Sequence, residues 1–164
     1  MLISKKLVEF SKIETAFAHC DVPCGIYDPH LAQVAALTTM RMIQLIEAAE
    51  VPSTDADRTN YVSQLSRYVA TKEEHAELCK KEIRILWADY FRPEHIEKYP
   101  ELHDTVFNAL KTASKVRQTN DTQAPHDLLN AVNQIATIFW ATKEVKTSVQ
   151  PSRQAVGGEL VLPA

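Results

Sequence analysis

Apolar side chains recur every three or four residues over four long stretches of this chain, the spacing that collects them on one face of an α-helix. Between Pro29 and Ala49 the stripe is Leu31, Val34, Ala35, Leu37, Thr38, Met42, Leu45, Ile46 and Ala49, and Pro29 suits a first turn. Ser53, Thr54 and Asp55 offer N-caps for a second helix from about Ala56 to Tyr90, stopped by Phe91-Arg92-Pro93. Its apolar positions include Tyr61, Leu65, Tyr68, Val69, Leu78, Ile83, Ile85, Leu86 and Trp87. An irregular piece over 94–100 leads to a third helix, Glu101 to Val116, with Leu102, Val106, Phe107, Leu110 and Ala113 facing inward. A polar loop over 120–125 precedes a fourth, His126 to Lys146, carrying Leu128, Leu129, Val132, Ile135, Ile138, Phe139 and Trp140. Four amphipathic helices on short loops predict an all-α, antiparallel (up-and-down) four-helix bundle over 29–146. Residues 147–164 lose the periodicity, and Pro151 and Gly157-Gly158 predict a loose tail.

Residues 1–18 also carry a stripe: Leu2, Ile3, Leu7, Phe10, Ile13 and Phe17. Lys5, Lys6, Glu9, Lys12 and Glu14 interrupt it, so no continuous apolar region suits a secretory signal. The stretch ends in Ala16-Phe17-Ala18, a small-x-small pattern that processing peptidases accept. It is expected to be a leader, removed by a peptidase without export. Composition narrows the class further. Three glycines in 164 residues argue against a sandwich or barrel. A net charge of −3 gives no basic face for nucleic acid, and no stretch is apolar enough to span a membrane. Three cysteines make no disulfide scaffold, and a reducing, cytoplasmic setting fits them better.

The chemistry concentrates in His19-Cys20-Asp21-Val22-Pro23-Cys24-Gly25-Ile26-Tyr27-Asp28-Pro29. Pro23, Gly25 and Pro29 prevent a regular helix, so the segment reads as a hook over 19–28. The Cys-x3-Cys spacing alone is compatible with a disulfide, a zinc half-site or two unrelated core thiols. A cut before His19 makes the hook more specific. The new α-amine, the Cys20 amide and the Cys20 thiolate form two fused five-membered chelate rings, and the Cys24 thiolate completes a plane of two nitrogens and two sulfurs. Planar coordination suits d8 nickel or d9 copper rather than tetrahedral zinc. The His19 ring can approach from above as a fifth ligand.

The motif H-C-x-x-P-C-G-x-Y-D-P resembles the nickel hook of nickel-containing superoxide dismutases. Leu86-Trp87-x-Asp89-Tyr90-Phe91-x-Pro93-x-His95, continuing to His103, is similar to a second block of that family, and Ile138-Phe139-Trp140-x-Thr142-Lys143 to a third. The resemblance covers about 19–146. It implies one nickel ion per subunit, held by His19 (amine and ring), Cys20 (amide and thiolate) and Cys24 (thiolate). It implies disproportionation of superoxide to dioxygen and hydrogen peroxide by Ni(III)/Ni(II) cycling, in a homohexamer that seals the hooks between neighbours. Tyr27 and Asp21, with Tyr90 as a third, are implied beside the metal as groups that orient its ligands or move protons. Arg92 and nearby lysines could draw in the anion.

The sequence departs from the family's pattern in two places. A glutamate and an arginine that steady the axial histidine in the family fall at Ala35 and His75 here. His30, His95, His103 and His126 show no ligand spacing, and no E-x-x-H pair supports a di-iron bundle. A nickel- or copper-binding carrier without turnover shares the hook's ligand chemistry and stands as the alternative function.

Overall fold

In the computed structural model, residues 25–164 are described. Helix α1 (His30–Glu47) is followed by α2 (Asp55–Ile85), whose end widens into one π-helical turn, Leu86–Tyr90. A short helix α3 (Pro93–Lys98) precedes α4 (Leu102–Gln118) and α5 (Ala124–Thr142). The chain closes with an antiparallel hairpin, β1 (Thr147–Pro151) and β2 (Glu159–Pro163). The four long helices pack in a ring, α1 on α2, α2 on α4, α4 on α5 and α5 on α1. This is the predicted bundle, with each boundary within a few residues of its expected place.

Local chemistry sets the starts. The Asp28 carboxylate accepts the His30 N–H at 2.7 Å before α1, and Pro29 supplies the N-cap. Thr54 is the N-cap of α2, and its hydroxyl donates to Asp57 at 2.6 Å. Asp121 accepts the N–H groups of Gln123 and Ala124 at the start of α5. The core contains Met40, Ile43, Ile83, Leu102, Leu128, Ile135 and Phe139, all sealed from solvent. Lys72 of α2 is a buried cation, and it donates to the Thr119 carbonyl (2.7 Å) and Asn120 (2.9 Å) past the end of α4. Burial lowers its pKa, partly offset by Glu73. Cys79 is also buried, and desolvation pushes its thiol up to about 12.

Three expectations need correction. The stretch 94–100 is not wholly irregular, because Pro93 fixes the first turn of α3 and five further residues continue it. Leu31, Val34 and Phe107 do not face the core and remain exposed, since the stripes of α1 and α4 are wider than the faces their neighbours cover. Most important, residues 147–164 are not a loose tail. Strand β2 buries Leu160 and Val161 against the bundle. Two amide side chains serve its outer edge as a neighbouring strand would: Gln33 donates to the Val161 carbonyl (2.9 Å) and to Asn133 Oδ1 (2.8 Å). Asn133 donates to the Glu159 carbonyl (2.8 Å), while its Oδ1 accepts the Val161 N–H (3.2 Å). Gly158 has φ +85°, and a Cβ there would meet Leu129 and Leu37 at 3.1 and 3.2 Å. The turn is glycine because it lies flat on α1 and α5.

Candidate metal centre

The proposed metal ligands His19, Cys20 and Cys24, together with Asp21, lie outside the described residues. Among the described residues no group of three His, Cys, Asp or Glu side chains could hold a metal ion. What the bundle supplies is the ground on which the hook ends. Gly25 has φ +84°, a conformation that favours glycine and turns the chain toward Tyr27 and α1.

Tyr27 and Tyr90 belong to separate motifs of the sequence, and the fold brings them together. Their ring centres are 5.6 Å apart, tilted by 54°. Tyr90 lies at the end of the π turn, where the Phe91 N–H reaches back five residues to the Leu86 carbonyl (2.9 Å). One extra residue in a helical turn rotates the downstream chain by about 100° and thereby re-aims Tyr90. Its ring rests on Phe139 at 4.5 Å, and His95 stacks on it at 5.7 Å. Lys143 holds its ammonium 5.3 Å from the same ring and 5.2 Å from that of Phe139.

These contacts fix the direction of one proton. Thr142 Oγ1 donates to the Phe139 carbonyl at 2.6 Å, and a carbonyl can only accept. A threonine hydroxyl has one proton, so the 2.6 Å contact between Tyr90 and Thr142 is a donation from the phenol. Tyr90 therefore directs its proton at Thr142. His95 is fixed in a similar way: its Nδ1 accepts the Arg92 N–H at 3.3 Å, which leaves Nε2 to carry the proton of a neutral ring.

Sequence reading does not join Thr142, Lys143 and His95 into one cluster. Each sits in one of the separated motifs, but only the packing of the end of α5 beside the π turn brings them together. Ala35 is buried and offers no polar atom beyond its backbone. His75 places Nδ1 3.0 Å from the Thr71 carbonyl of its own helix. Arg92 is exposed and lies 4.0 Å from Glu94.

A family model described as nickel-containing superoxide dismutase matches residues 14–143. The chain belongs to the nickel-containing superoxide dismutase family. It is 37% identical over 135 residues to a protein of Streptomyces coelicolor named superoxide dismutase [Ni], covering 82% of this chain and 95% of that one. A Streptomyces seoulensis protein of the same name is 39% identical over 127 residues, covering 77% and 89%. The fold is similar to the native nickel superoxide dismutase structure at 1.30 Å, with a TM-score of 0.65 and 37% identity over 76% of this chain and 99% of that one. A nickel superoxide dismutase structure with its ligation in the oxidised state gives a TM-score of 0.66 at 36% identity. The helical bundle is common to this chain and those structures. The hairpin over 147–164 lies beyond the span that the family model matches.

Proposed function

We propose that this chain is a superoxide dismutase whose nickel is held by His19, Cys20 and Cys24, with Tyr27, Asp21 and Tyr90 around it. The donor set fits the ion: two thiolates, an amide and an amine, with the His19 ring, would suit nickel and ease its oxidation. His19, Cys20 and Cys24 would hold nickel, which would supply the Ni(III)/Ni(II) couple needed to disproportionate superoxide to dioxygen and hydrogen peroxide. Residues 1–18 form a leader, 19–28 the hook and 29–146 the bundle, with 147–164 a hairpin appendage. Cutting before His19 by a processing peptidase releases the amine ligand. The trimmed chain works in the cytoplasm as a homohexamer.

The observation that carries the reading is the meeting of Tyr27, near the end of the hook motif, with Tyr90 of the bundle. Two phenols at this distance give the approach to the hook a wall that can order water and pass protons. Tyr90 donates to Thr142, so its phenol oxygen is left to accept from water. Lys143 and Arg92 add positive charge where an anion must enter, an effect screened over roughly 8–10 Å at ordinary salt.

The test is substitution at the thiols. Cys20→Ser and Cys24→Ser, each with helicity retained, are expected to abolish dismutation, the thiolate-to-nickel absorption and the paramagnetic signal of Ni(III). Dismutation surviving in either variant would refute the ligand set. Stoichiometric nickel with no dismutation in the unaltered trimmed chain would favour a carrier.

A further inference from the structure

A groove of about 930 Å³ lies between α1 and the C-terminal hairpin, and neither Tyr27 nor Tyr90 lines it. Val34, Leu37 and Met42 line it from α1 and Val156, Leu160 and Leu162 from the hairpin, with Arg41 and Arg153 at the same groove, where Glu9 and Glu14 of a docked segment could meet them. Val34 is 43% exposed and Leu31, one turn earlier, 57%. Such an apolar cleft is the shape that takes the apolar face of a helix.

We infer that this groove is the docking site of the chain's own residues 1–18. The inference rests on the proposal that these residues form a leader. Ile3, Leu7, Phe10, Ile13 and Phe17 follow one another at intervals of four, three, three and four, a single helical stripe with charged residues between them. As helix, Ile3 to Phe17 is about 21 Å long, and the α1 wall from His30 to Met42 is about 18 Å. The position of the chain agrees with this. Residues 1–24 enter the described fold at Gly25, and within five residues the chain lines the groove itself through His30. Asp28 and Leu31 line an adjoining cavity that also includes Leu162 and Pro163. The ten residues 19–28 are long enough for the chain before them to double back along α1. Tethering keeps the segment at an effective concentration in the millimolar range, so a modest contact suffices. The hairpin lies outside the span matched by the family model, and it builds half of this groove.

The intact chain 1–164 supports a direct experiment. Trypsin cuts after Lys5, Lys6 and Lys12 only when the leader leaves its seat, and in the fast-opening regime the rate tracks the undocked fraction. Val34→Asp charges an exposed position of the groove, and Phe10→Asp charges the leader while leaving the bundle untouched. Each is expected to speed cleavage at these lysines at least tenfold by mass spectrometry. The double variant should be no faster than either single one, because both remove the same contact. Cleavage at the wild-type rate in either single variant would overturn the proposal. So would a sedimentation mass that falls in Val34→Asp without faster cleavage, since a second copy would then fill the groove. The leader itself is tested separately, by whether the protein from its natural host begins at His19 or Met1.

Discussion

Thr142 shows how much one hydroxyl can decide. It spends its only proton on the Phe139 carbonyl and so obliges Tyr90 to donate to it. Valine at this position keeps the shape and removes the acceptor. The phenol of Tyr90 is then no longer anchored, at a cost near the ~1 kcal/mol of one hydrogen bond. Thr142→Val is accordingly expected to lower dismutation by about fivefold with unchanged helicity, and Thr142→Ser to restore it. Equal activity in all three proteins would remove Thr142 from the site. Residues of this kind are hard to read in a sequence. Tyr90 and Thr142 are 52 positions apart, and nothing in a threonine near a helix end announces a partner. Tyr27 is legible because it belongs to a motif eleven residues long, whose spacing is itself chemistry.

The helices are legible for a different reason: burial on one face repeats every 3.6 residues, and Gly and Pro are rare enough here to mark the ends. The hairpin is not. Its strands are five residues each, too short for alternation to stand out, and their outer edge is satisfied by Gln33 and Asn133 on distant helices. Asn133→Ala leaves the Glu159 carbonyl and the Val161 N–H without those partners. That should cost about 1–3 kcal/mol, read as a lower urea midpoint. An unchanged midpoint would show that the hairpin does not depend on this edge. Helix α2 is joined to α4 by Glu77, which accepts from Arg84 at 2.7 Å and from Arg117 at 2.8 Å. The hydrogen bond from Arg84, then the nearby positive charges, hold its pKa below the ordinary value of 4.5. A depressed carboxyl contributes stability above its unfolded pKa and loses it as pH falls through the folded value. Glu77→Gln should therefore flatten the fall in stability below about pH 4.5, measured by thermal unfolding at stepped pH. An acid limb as steep as that of the wild type would contradict the pairing.

At the scale of the whole molecule, the bundle presents one end to the hook and one side to a groove half built by the hairpin. Tyr27, Tyr90, His95 and Lys143 gather at that end, and the donors we propose for the metal belong to the sequence motif that leads into it. The departures at Ala35 and His75 leave a buried methyl group and a ring beside the Thr71 carbonyl of its own helix, while the donors proposed for the hook are all present in the sequence. On the proposed ligand set, the α-amine of His19 is available only when the chain begins there. Dismutation is therefore best measured on nickel-loaded protein beginning at His19, beside nickel-loaded protein beginning at Met1. Activity in the first and none in the second is the expected result, because only the first has the free amine. Equal activity in both would contradict the amine ligand and, with it, the role given to the leader.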